Sequence, residues 1–123
     1  MDDEAIREIF DSLGPVSIRR MFGGKGIYAD GRILAILLHD TLMLKGDGES
    51  APRLEAAGAE RWSYEGKGGK TVLMPYWTVP PAAYDDPDEM AVWVREAFDA
   101  ALRAVDKATP VRPARQRGRS PAG

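Results

Sequence analysis

Residues 25–45 read KGIYADGRILAILLHDTLMLK, and this stretch decides the fold. Three apolar segments, Lys25 to Ala29, Ile33 to Leu38 and Thr41 to Lys45, are joined by short links at Asp30-Gly31 and His39-Asp40. Asp-Gly is the stronger turn signal, because a two-residue hairpin needs positive φ at both central positions and these residues accept it. Links this short cannot carry the crossover that parallel strands require. The stretch therefore predicts three consecutive antiparallel strands, a meander.

Working outward, Ile18 to Phe22 forms a preceding strand whose alternation is blurred by Arg19 and Arg20, and Gly23-Gly24 supplies a turn or bulge into Lys25. Upstream, Ile6, Ile9, Phe10 and Leu13 recur at helical spacing. They predict a helix over Asp3 to Leu13, N-capped by Asp3 and stopped by Gly14-Pro15. Downstream, Lys45 to Pro52 is loop, running into a short helix that begins at Ser50 or Ala51, continues through Ala57 and ends at Gly58. Arg61 to Glu65 and Lys70 to Pro75 make a second strand pair around Gly66-Lys67-Gly68-Gly69. Tyr76-Trp77 is expected in a loop that packs, with Val79-Pro80-Pro81, over the last helix.

That helix has the best-marked start in the chain: Asp86 as cap, Pro87 at the first helical position and Glu89 completing a capping box. Met90, Trp93, Val94, Ala97, Phe98, Ala101, Leu102 and Val105 then form one apolar stripe. The fold class is α+β, two-layered, with one twisted antiparallel β-sheet packed with helices.

Composition narrows the function classes. The 123 residues fit one domain, and 44% hydrophobic content suffices for a core. The absence of cysteine excludes disulfides, iron–sulfur clusters and thiolate-bound zinc. Met1-Asp2-Asp3-Glu4 is acidic where a secretion signal is basic, and the longest apolar run, Ile33 to Leu38, has the length of a strand. A cytoplasmic protein without a membrane partner is expected. Charge divides the chain: residues 1–106 hold 12 Lys and Arg against 19 Asp and Glu, net −7, whereas residues 107–123 hold five basic residues and no acid, net +5. Residues 1–106 are thus expected to fold, and 107–123 to form a disordered, Pro-rich basic tail.

No cluster specifies a reaction. The two glycine-rich stretches lack the Gly-Lys-Ser/Thr ending of a phosphate loop, and the nearer match, Gly68-Gly69-Lys70-Thr71, runs into a strand. His39, the one histidine, sits in a hairpin link without a nucleophile signature. Asp85, Asp86, Asp88 and Glu89 are dense enough for a hard cation, yet they stand where negative charge stabilises a helix N-terminus. Tyr76, Trp77, Tyr84 and Trp93 are better placed for packing than for stacking bases. Arg19 and Arg20 beside Met21 and Phe22 combine cations with apolar anchors, as protein interfaces do. Gly23 and Gly24 adjoin that patch, where backbone geometry is the first reading and close approach by a partner the second.

Taken together, these segments resemble the TfoX/Sxy N-terminal domain family. The resemblance rests on Ile18-Arg19-Arg20-Met21-Phe22-Gly23-Gly24-Lys25-Gly26-Ile27-Tyr28, on Asp30-Gly31, and on the strand from Leu42 to Lys45. It continues through Met74-Pro75-Tyr76-Trp77, Val79-Pro80, Asp85-Asp86-Pro87-Asp88, Trp93 and Ala97. It implies a two-layer α+β domain related in shape to secretion-chaperone-like folds. Longer members are regulators of natural competence, acting as co-activators of transcription beside a cyclic-AMP-responsive regulator. Those members carry a second, helical domain where this sequence offers its basic tail. The family defines no catalytic residues to carry over, and no cofactor is expected.

The expectation is a non-enzymatic accessory or regulatory protein that binds another protein, or a second copy of itself, through Arg19, Arg20, Met21, Phe22, Gly23 and Gly24. The alternative is weak, salt-dependent nucleic-acid binding by Arg112, Arg115, Arg117 and Arg119. A small enzyme is the third class and has the least to support it.

Overall fold

The computed structural model describes residues 1–21 and 23–108, the side chains of 105–108 excepted. Phe22, the Val105 side chain, and the tail with Arg112, Arg115, Arg117 and Arg119 lie outside the described residues. The first helix, α1 (Asp3–Ile9), is shorter than its periodicity suggests, and Asp2 rather than Asp3 caps it, accepting the Ala5 N–H at 2.9 Å. One 3₁₀ turn, Asp11–Leu13, carries the chain to Gly14 at φ +93°.

The strands β1 (Ser17–Met21), β2 (Gly24–Ala29), β3 (Arg32–Leu38) and β4 (Thr41–Lys45) form the expected antiparallel run. Asp30 and Gly31 have φ +54° and +78°, and His39 and Asp40 +49° and +64°, so both links are tight turns with left-handed central residues. After α2 (Ala51–Ala56) come β5 (Arg61–Glu65) and β6 (Thr71–Thr78).

The structure corrects the expectation for Tyr76-Trp77. They are not loop: β6 runs on through Thr78 and pairs with β4, Leu44 against Trp77 and Lys45 against Tyr76. One six-stranded antiparallel sheet results, in the order β1-β2-β3-β4-β6-β5. Pro75 is tolerated inside β6 because the register with β5 breaks there. Arg61 pairs with Trp77 and Ser63 with Leu73, so no ladder bond is required of the proline nitrogen.

A second irregularity shapes β3. Ile27 pairs with Ala35 but Tyr28 with Ile33, leaving Leu34 as a bulge. Leu34, Ala35 and Leu37 then belong to one apolar cluster, while Ile33 and Ile36 belong to another.

The first cluster is the main core. Ile6 and Phe10 from the α1 segment, and Met90, Trp93, Val94, Ala97 and Ala101 from α3 (Pro87–Ala108), meet Ile27, Leu37, Leu42, Leu44 and Trp77 of the sheet. Asp86 starts α3 as expected, its carboxylate accepting the Asp88 and Glu89 N–H groups at 3.0 and 3.3 Å. Glu89 differs from a capping-box partner, since its carboxylate instead accepts the Trp93 indole N–H at 3.4 Å. Two charge pairs fasten α3 from outside: Arg53 of α2 with Glu96, both bonds 2.8 Å, and Arg103 with Asp47 of the β4–α2 loop.

Candidate functional site

Helices cover one face of the sheet. On the other, Ile36 of β3, Met43 of β4 and Tyr76 of β6 are buried side by side, only 4%, 6% and 7% exposed, in a cluster separate from the main core. Their cover is the sheet itself. Met21 of β1 and Trp62 of β5 come from opposite edges of the strand order, yet both wall the same hollow with Ile33, Leu38 and Met74. The sheet therefore curls until its two edges share one groove of about 450 Å³, with His39 at its rim. An apolar hollow of this size is in the range of ligand and anchor-residue pockets.

Two glycines of β2 make that curl possible. A Cβ on Gly26 would sit 2.8 Å from the Met21 methyl and 3.1 Å from the Tyr28 ring. A Cβ on Gly24 would collide with the Leu37 carbonyl oxygen, so β2 and β3 approach as they do only because position 24 is bare.

Two cations stand on the same face beside the groove, outside the residues that line it. The Arg19 guanidinium lies 4.7 Å from the centre of the Tyr28 ring, and the Lys45 ammonium 5.3 Å from that of Tyr76. Both are cation–π distances. Burial lowers the Lys45 pKa, partly opposed by Asp47, and burial raises that of Tyr76, with Tyr28 close enough to add to the effect. Among the described residues Arg19 and Lys45 are in no salt bridge, and the same holds for Arg7, Arg20, Arg61, Lys67 and Lys70, whereas Lys25, Arg32, Arg53, Arg95 and Arg103 are paired.

Strand alternation divides the patch suggested by the sequence. Arg19 and Met21 project toward the groove side. Arg20 instead lines an open depression of about 470 Å³ with Gly23, Gly24, Lys25, Leu37 and Asp40, and Met21 and His39 border both this depression and the groove. Gly23 is there as a left-handed residue, φ +72°. Lys25 in turn holds Asp3, whose carboxyl is lowered chiefly by that hydrogen bond. The Asp40 carboxylate beside His39 is engaged by the Met1 amine, which lowers its pKa.

The other motifs resolve as scaffold. Lys67–Gly69 is a 3₁₀ turn between β5 and β6, with Gly68 and Gly69 at φ +72° and +75°. Among the described residues no three His, Asp or Glu side chains are grouped to hold a metal, and no helix is long and apolar enough to cross a membrane.

The sequence did not single out Ile36, Met43, Trp62, Met74 or Lys45, although the signal was present. Ile33–Leu38 and Leu42–Leu44 are unbroken apolar runs. Such runs mark strands apolar on both faces, whereas a two-layer fold covers one.

A family model described as the TfoX N-terminal domain matches residues 8–101, a span reaching from α1 into α3 and including all six strands. The comparison with curated proteins finds no match.

Proposed function

Because the chain belongs to the TfoX N-terminal domain family, we propose that it is a regulatory accessory protein that acts by binding another protein at the uncovered face of its sheet. The observation that carries this proposal is the apolar floor of Ile36, Met43 and Tyr76, which no helix among the described residues covers. Above that floor Met21, Trp62 and Met74 wall a hollow and stay partly exposed, which suits the seating of a partner's apolar side chain. Met43 within the floor and Met21 and Met74 beside it are side chains that repack readily against different shapes. A non-catalytic role accords with His39, which stands in a tight turn at the rim of shallow hollows with a neighbouring carboxylate already engaged. Regulation of transcription or competence is the setting the family suggests.

The test is capture from cell extract with the full chain as bait, with and without nuclease, read by mass spectrometry. The double variant Trp62→Ala/Met74→Ala should lose the partner, Arg20→Glu should keep it, and nuclease should change nothing. Equal capture by the groove variant and the unaltered chain would refute the assignment. Loss on nuclease treatment would favour the five basic residues of 107–123 as a nucleic-acid contact. That binding should weaken steeply with salt and disappear on truncation after Val105.

A further inference from the structure

We infer that the groove is built for an acidic, apolar segment of the partner protein, which seats an apolar side chain among Met21, Trp62 and Met74 and directs carboxylates to Arg19 and Lys45. The inference rests on the protein-binding role proposed above and adds the chemistry of the partner.

Three features of the molecule lead to it. First, residues 1–106 carry net −7, yet the charges beside the groove on this face are cations, Arg19 and Lys45, and neither is in a salt bridge among the described residues. Second, both are pre-positioned. Arg19 rests on Tyr28 and Lys45 on Tyr76, so neither side chain has to be ordered from free rotation when a carboxylate arrives. The Met21 methyl and the Tyr28 ring would lie 2.8 and 3.1 Å from a Cβ on Gly26, and Tyr76 itself lines the groove, so each cation–aromatic pair adjoins it. Third, the hollow between them and the edges is apolar, walled by Met21, Trp62 and Met74. An apolar anchor flanked by cations selects an apolar side chain flanked by carboxylates.

The same charges disfavour the other occupants. A second copy docked face to face would bring Arg19 and Lys45 against their own kind. The chain's own residues 107–123 carry five cations and no acid, so they repel the rim as well. A nucleic acid would match the rim but offers no apolar side chain for the groove.

The probe is a random displayed peptide library selected against the full chain. Enriched peptides should combine Asp or Glu with a large apolar residue, and a synthetic consensus peptide should shift the methyl resonances of Met21, Met43 and Met74. Its affinity should fall at least about tenfold in Arg19→Ala/Lys45→Ala and again in Trp62→Ala, and should weaken with added salt. The reversal Arg19→Glu/Lys45→Glu, checked for fold by circular dichroism, should reject the consensus and accept its Glu-to-Lys counterpart. Enrichment of neutral or basic peptides that still shift the groove methyls would overturn the acidic partner while leaving the groove as a binding face. Peptides that shift only residues of α3, or no enrichment at all, would overturn both. A concentration-dependent dimer by light scattering, abolished by Trp62→Ala, would replace the acidic segment with a second copy.

Discussion

Leu44 and Met43 are neighbours on β4, and their side chains leave the strand in opposite directions. Leu44, 1% exposed, joins the cluster that holds Phe10, Trp77 and Val94, whereas Met43, 6% exposed, joins Ile36 and Tyr76 beneath the open groove. The two are almost equally buried, but by different means. Leu44 is enclosed by helices that must dock for the chain to fold at all. Among the described residues Met43 is enclosed by the curl of its own sheet, and the walls above it, Trp62 and Met74, remain partly exposed. Low accessibility of a residue thus does not identify the side of the sheet that supplies stability. The largest expected effect follows directly: Trp77→Ala should cost about 3–5 kcal/mol and Leu44→Ala about 2–5, whereas Trp62→Ala should cost about 1 kcal/mol or less. Urea unfolding followed by far-ultraviolet circular dichroism measures all three. Losses of equal size on both sides would make the groove a second core, and the contrast would collapse.

Glycine substitutions sharpen the contrast at smaller magnitude. A Cβ on Gly46 would lie 2.6 and 2.7 Å from ring atoms of Trp77 and 3.0 Å from Leu54, all fully buried on the helix side. Nothing there can give way, so Gly46→Ala should lose about 1–3 kcal/mol by overpacking. At Gly26 the nearest obstacle is the end of Met21, a flexible side chain at the margin of the groove. Gly26→Ala should therefore lower the melting temperature less than Gly46→Ala does. Because its methyl intrudes beside Met21, it should also weaken the consensus peptide. A larger thermal loss at Gly26 than at Gly46 would mean that the open face is as rigid as the covered one.

The parts of the fold legible in the sequence are those fixed by local chemistry. Asp30-Gly31 specifies its turn, Asp86-Pro87 starts α3, and the α3 stripe announces a buried side. The extent of β6 was not legible, because Pro75 argues for a strand end unless a neighbouring register shift removes the need for its N–H. That shift depends on β5, and the pairing with β4 is a contact across the sequence that no local pattern encodes. The site was half legible for the same reason. Arg19 and Met21 were marked by composition, but their separation from Arg20 follows from strand alternation, and their meeting with Trp62 follows from curl. The overlooked clue was the unbroken run Ile33–Leu38. Its bulge at Leu34 places Leu34 and Ala35 together in the main core and leaves Ile33 and Ile36 to the groove.

The smallest effect concerns what holds the covering helix. Arg103 of α3 donates to both oxygens of Asp47, at 2.7 and 3.1 Å, and Asp47 also accepts the Glu49 and Ser50 N–H groups at 3.1 and 3.0 Å. The Arg103 hydrogen bond, supported by the two backbone donors and opposed by burial, lowers the Asp47 pKa from 3.8 to about 2. A carboxyl whose folded pKa lies below its unfolded value binds its proton less readily in the folded state. Its stabilisation is complete above about pH 5 and is lost as the pH falls toward 2, amounting to about 1 kcal/mol once solvent screening is allowed for. Asp47→Asn should remove that contribution and flatten the acid limb of a stability-against-pH profile between those limits. Because the clamp lies on the helix side and reaches the groove only through the charge it presents to Lys45, the substitution should change consensus-peptide affinity at neutral pH far less than Arg19→Ala/Lys45→Ala does. An unaltered acid limb would assign the acid sensitivity to another carboxylate. A loss of peptide affinity as large as in that double variant would show that the helix layer and the groove are mechanically coupled, and the two faces could then no longer be treated as separate.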